Sequence, residues 1–237
     1  RTNGFELTLN WTDKIGNVEY SAQFQLTDAV NKLVEYGGAD TYKLGLNETR
    51  EGYPMNSYFA YVYDGVIKDQ ADLDAYKKLE GVPSNIGIGD AKFKDLNGDG
   101  KISTYGDKDG DDGDAEYVGS TIPRYSFGLN LGAKWNNFDI SVFFQGVAKR
   151  TLFREGDFAM PWSDWWRYPP QFYYGQTWNE DRPDAYYPRL THGEIRHWNY
   201  QASTLQKINA AYIRLKNIQI GYTLPKGALQ KLDRKSV

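Results

Sequence analysis

RYSFGLNLGAKWNNFDISVFFQ, residues 124–145, alternates in period two. Tyr125, Phe127, Leu129, Leu131, Ala133 and Trp135 take the odd positions, and Arg124, Ser126, Gly128, Asn130, Gly132 and Lys134 the even ones. Successive side chains of a strand point to opposite faces, so this run makes a strand with one apolar face. Phe138, Ile140, Val142 and Phe144 then alternate with Asp139, Ser141, Phe143 and Gln145. Asn136-Asn137 between the runs reads as a tight hairpin turn.

The same pattern opens the chain. Phe5, Leu7, Leu9 and Trp11 alternate with polar residues, and after residues 12–16 so do Val18, Tyr20, Ala22, Phe24 and Leu26. In a last run the apolar phase switches from Ala211, Ile213 and Leu215 to Ile218, Ile220 and Tyr222. A bulge near Lys216-Asn217 would restore the facing. Strands are therefore expected at about 4–11, 17–27, 124–135, 138–147 and 208–222. Residues 28–123 and 148–207 are expected as long loops.

These runs are about as long as a tilted strand needs to cross a bilayer, ~9–11 residues. Short connections fall at one end of the strands and long ones at the other, as in outer-membrane barrels with long extracellular loops. Aromatics bracket the apolar runs: Phe5 and Trp11, Tyr125 and Trp135, Phe138 and Phe144. This fits two interfacial girdles. A soluble β-sandwich also alternates, but its strands average nearer 5–6 residues. The expected fold is all-β, part of a large transmembrane antiparallel barrel. Five strands cannot close one, so the remaining wall must come from other segments.

Composition agrees. The 237 residues include 7 Trp, 19 Tyr and 11 Phe, an excess that favours strands. The net charge of -3 lacks the basic excess of a nucleic-acid binder. With no cysteine, thiolate metal sites and a cysteine nucleophile are excluded. Arg1 is no initiator and no signal peptide follows it, so the chain is expected to be a mature or cut piece.

Further motifs carry a resemblance. They are residues 51–57 (EGYPMNS), 61–65 (YVYDG), Gly89-Asp90, 94–102 (KDLNGDGKI), Gly119-Ser120, 122–125 (IPRY), 137–146 (NFDISVFFQG) and 212–218 (YIRLKNI). In this order and spacing they resemble the C-terminal part of the SusC/RagA family of TonB-dependent outer-membrane transporters. The resemblance covers nearly the whole chain. It implies a barrel of about 22 strands with an N-terminal plug, energised by TonB and covered by a SusD-like lipoprotein lid. The plug and the final strands are expected outside this chain. The implied function is import of glycan fragments or peptides across the bacterial outer membrane, without enzymatic chemistry. The rivals are a soluble or surface carbohydrate-binding β module and a passive porin.

Asp95, Asn97 and Asp99 stand at positions 1, 3 and 5 of a calcium-type loop, with Gly100 at 6 and the Lys101 carbonyl at 7. Position 12 is Gly106, so a lengthened loop would draw on Asp107. The competing reading is a turn with solvated carboxylates. Trp162, Trp165, Trp166, Tyr168, Tyr173, Tyr174 and Trp178 form an aromatic segment able to stack on a ligand, to pack on itself, or to meet a lid protein. His192, His197, Glu180, Asp181 and Asp184 read as surface and structural residues. Gln70 to Leu79 reads as a short helix capped by Asp69. The loop from Leu46 to Asp90 is expected to dock on a partner rather than extend into solvent, because its content of Tyr53, Met55, Tyr58, Phe59, Tyr61 and Tyr63 is too apolar for a free loop; the competing reading is packing on its own barrel.

Overall fold

A computed structural model describes residues 1–37, 44–47, 50–104, 113–156, 159, 161 and 169–225. In chain order the elements are β1 Thr2–Ile15, β2 Val18–Asn31, β3 Gly45–Asn47, β4 Ser57–Tyr61, β5 Tyr63–Val66, α1 Gln70–Tyr76, β6 Ala91–Phe93, β7 Ala115–Ser120, β8 Arg124–Trp135, β9 Phe138–Lys149, β10 Thr151–Phe153, α2 Gly193–Asn199, β11 Lys207–Asn209 and β12 Tyr212–Tyr222. The chain divides into two units, residues 1–31, 123–150 and 210–237 forming the first and 32–122 with 151–209 the second.

The first unit is one antiparallel sheet in the order β1-β2-β8-β9-β12. Its register sorts the alternation into continuous rows. Leu9, Phe24, Leu129, Phe144 and Leu215 stand side by side across all five strands, and so do Trp11, Ala22, Leu131, Val142 and Ile218. Residues paired across strands share a face. The opposite face carries Thr8, Gln25, Gly128, Gln145 and Arg214 in one row and Asn10, Gln23, Asn130, Phe143 and Asn217 in the next. One face is thus apolar and the other polar, with Phe143 intruding on the polar one. The register of β12 on β9 shifts between Leu215 and Asn217, and this bulge puts Ile218 on the same face as Leu215. The apolar face is open: Ile220 is 76% exposed and Trp11 62%.

The first strand runs longer than the sequence pattern gives. Residues 12–15 were expected as turn, but Asp13 pairs with Tyr20 and Lys14 with Glu19. The Tyr20 hydroxyl donates to Asp13 and Lys14 meets Glu19 at 3.5 Å, so cross-strand polar pairs extend the ladder. The turn shrinks to Gly16-Asn17. Gly16 and Asn136 take φ of 60° and 53°, the left-handed form such hairpins require. The last strand is shorter than expected, since residues 207–209 leave the main sheet and pair with Thr151 to Phe153.

The second unit contains small sheets, β3-β4-β7, β5-β6 and β10-β11, with the short helices. Much of the aromatic run expected to meet a partner is spent on the unit's own core. Tyr58, Phe59 and Tyr61 are buried inside the unit, while Met55 stays half exposed. Tyr61 and Phe93 stack at 5.4 Å within an apolar core that includes Ile67, Leu73 and Ile195. The Asp69 carboxylate accepts the Asp72 amide and caps α1, and Leu73 and Tyr76 form its buried face. The unit's backbone also closes on itself. Leu33 N–H donates to Tyr53 O, Gly52 N–H to Leu33 O, and Thr121 N–H to Asn56 O.

Asp90 is the buried polar centre of this unit, with none of its surface exposed. Its Oδ1 accepts from Arg189 Nε at 2.7 Å and Asn199 Nδ2 at 2.9 Å. Its Oδ2 accepts from Arg189 Nη2 at 2.8 Å and the Gly87 amide at 2.7 Å. Asn199 Oδ1 in turn accepts the Ala91 amide. Residues far apart in sequence are thereby tied to one carboxylate.

Candidate functional site

Two of the expected sites fall on the second unit. The first is the acidic loop at residues 95–101. Its three oxygen-bearing side chains hold local backbone: Asp95 accepts from the amides of Gly98 and Gly100, Asn97 from Asp99, and Asp99 from Lys101. These bonds give the loop its turn shape. Glu80 and Ile102 add a backbone clamp, with Glu80 N–H donating to Gly100 O and Ile102 N–H to Glu80 O. Asp107 lies outside the described residues. Among the described residues, no three His, Asp or Glu side chains are gathered as a metal ligand set.

The acid that closes this loop is Asp114, which sequence reasoning missed. It is fully buried. Its two oxygens accept from the Leu96 amide at 2.6 Å and the Ser103 amide at 2.8 Å, one at each end of the loop. Counting twelve positions forward could not find it, because the intervening insert moves it downstream. Its signal was an acid directly before a strand. Burial pushes its carboxyl above the usual range against those two amides, and nearby Asp95 and Asp99 push the same way. The folded state therefore holds this proton more readily than the unfolded chain. The resulting stability is fully present below the unfolded value, about 3.9, and is lost as pH rises through the raised folded value. Thermal unfolding of Asp114→Asn should lack this decline; identical pH profiles for the two proteins would rule out the strained carboxylate.

The second site is the aromatic segment. Trp162, Trp165, Trp166 and Tyr168 lie outside the described residues. Tyr173 is a core residue, 1% exposed, edge-on to Tyr187 at 4.6 Å and Tyr200 at 5.8 Å. Burial pushes its phenol well up. Its hydroxyl donates to Ala159 O. Trp178 packs over Gly89, where a Cβ would lie 2.2 Å from its ring. Tyr174 is the opposite case, 90% exposed. It stands beside a groove of about 600 Å³ lined by Pro169, Pro170, Gln171, Tyr173, Tyr174, Gly175, Thr177, Arg182 and Leu190. The sequence pattern places Arg182 among the structural acids Glu180, Asp181 and Asp184 and not with the aromatic segment.

His192 and His197, expected in a loop, belong to α2: His192 is its N-cap and His197 lies in its last turn. His192 provides no side-chain cap bond, so the helix carried no start signal in the sequence. Glu180, Asp181 and Asp184 are exposed.

Comparison with known proteins follows the same lines. No protein-family model matches the chain. TonB-dependent receptor P26 of Formosa agariphila is 25% identical over 240 residues, covering 94% of this chain and 22% of that protein. TonB-dependent receptor P3 of the same organism is 24% identical over 254 residues, covering 99% and 23%. The chain thus spans less than a quarter of the length of these curated relatives. Among solved structures, the RagAB peptide transporter shares the fold with a TM-score of 0.66 at 20% identity, over 95% of this chain and 23% of that one. The RagAB peptide importer in its open-open state gives 0.62 at the same identity, over 96% and 23%.

Proposed function

We infer that this chain, a segment of a SusC/RagA-type TonB-dependent transporter, supplies five wall strands and two outer segments of an importer in the bacterial outer membrane. The carrying observation is the two-faced sheet: apolar rows on one side, polar rows on the other, on strands long enough to span. Asn31, Arg124, Lys149 and Tyr212, where the long segments join, lie at the end of the strands opposite the two hairpin turns. In this reading the apolar face meets lipid and the polar face lines a lumen of a barrel of about 22 strands. The cargo is a glycan fragment or a peptide, captured with a SusD-like lipoprotein and drawn inward when TonB acts on a plug encoded elsewhere in the polypeptide. The segment binds and gates, with no covalent step. Uptake of labelled cargo by cells carrying the full transporter should vanish when TonB is deleted. Uptake that survives would favour a passive porin, and a full polypeptide that stays dispersed without detergent would favour a soluble carbohydrate-binding module.

The same reading assigns the loop at Asp95, Asn97, Asp99, the Lys101 carbonyl and Asp107 to a structural calcium ion. A divalent charge would offset the repulsion felt by Asp114 beside Asp95 and Asp99. Millimolar calcium should raise the melting temperature of the full transporter, and Asp99→Ala should abolish the rise. An equal rise in both proteins, or none in either, would reduce the motif to a turn.

A further inference from the structure

The groove beside Tyr174 combines features that together select a ligand class. The backbone presents Tyr174 rigidly: its N–H donates to Gln171 O, Gln176 N–H donates to Tyr173 O, and Gly175 takes a φ of 72°. The ring is held out into solvent on a fixed turn, although burying an aromatic is favourable. Pro169 and Pro170 make a stiff apolar wall and Leu190 adds to it. Among the described residues, Arg182 is the charged side chain lining the groove, with Nη1 over Gly175, 3.5 Å from where a Cβ would stand. Glu180, Asp181 and Asp184 flank it in sequence, yet none lines the groove, and no ion pair joins any of them to Arg182 among the described residues.

We propose that this groove binds a carboxylate-bearing sugar ring, the unit of an acidic glycan. The Tyr174 face offers a platform for the apolar side of a pyranose. The Arg182 guanidinium, planar and permanently charged, matches a carboxylate with two parallel hydrogen bonds. A neutral sugar would leave that fork facing hydroxyls, which satisfy it less well. A groove of this volume accommodates one or two sugar units. The importer reading gives the bound glycan its fate, passage inward; binding itself is measurable without transport.

The test uses the full transporter in detergent and calorimetric titration with a galacturonate hexamer, its methyl-esterified neutral form, and a pentaalanine peptide with a free carboxylate. The acid form should bind at least about tenfold more tightly than the ester, the worth of one good charge-assisted contact. Arg182→Gln should remove that preference by weakening the acid form while leaving the melting temperature unchanged. Tyr174→Ala should weaken acid and ester alike, by about tenfold. Equal affinity for acid and ester, binding of neither, or peptide binding that depends on Arg182 where both sugars fail, would each overturn the proposal. Tight binding without cellular uptake would instead count against the importer reading.

Discussion

Asp90→Ala should destabilise the second unit by about 3–5 kcal/mol, the cost of stranding one member of a buried ion pair. Arg189 is about a third exposed and can turn part of its charge to water, which places the effect toward the lower end. The half-buried amide of Gly87 would also lose its acceptor, and the buried Asn199 carboxamide the nearer of its two, adding up to about 1–3 kcal/mol for a stranded donor. The loss should appear as earlier melting of the near-ultraviolet signal from the buried tyrosine cluster of Tyr173, Tyr187 and Tyr200. Asp90→Asn keeps the shape and two acceptor lone pairs and should cost less. A change below about 1 kcal/mol in Asp90→Ala would mean that the surrounding apolar core carries the unit without the network.

Leu129→Arg should cost about 2–4 kcal/mol in lipid, whereas Asn130→Arg should cost little. Leu129 lies mid-sheet between Phe24 and Phe144 on the apolar face, and its neighbour in sequence lies between Gln23 and Phe143 on the other. Refolding of the full transporter into vesicles, followed by denaturant titration, measures both. Equal costs at adjacent positions would remove the assignment of lipid and lumen faces.

The sheet was legible because its determinants are local. A period of two, a two-residue turn and one phase switch are written within a dozen residues, and the bulge at Lys216 follows from the switch alone. The error in the first strand came from the same locality: Asp13 and Gly16 look like turn residues until Tyr20 and Glu19 are seen opposite. Most of the second unit was illegible because its organising contacts are distant. Asp90 reads as one more acid until Arg189 and Asn199 arrive from about a hundred positions away. Tyr173 and Tyr174 are adjacent and chemically alike, yet one is core and the other solvent-facing; only the turn geometry separates them. The helix at Asp69 was readable through its cap, and the helix at Gly193, without one, was not.

The backbone bonds that close residues 33–121 on themselves have a kinetic meaning. Pairing β2 with β8 brings Thr27 beside Ser126, a contact whose loop is closed against chain entropy. Hairpins such as β8-β9 form in ~1–10 μs, so the slow event is joining them. Once Leu33 is held to Tyr53 and Asn56 to Thr121, the path between the two strands shortens to a handful of flexible residues. With closure cost growing as the logarithm of loop length, a roughly tenfold shortening lowers it by about 2 kcal/mol. The pair of β10 with β11 does the same for the next junction. Folding of the second unit would thus precede and accelerate assembly of the five-stranded sheet, and refolding of Asp90→Ala should lag the unmodified protein in strand pairing.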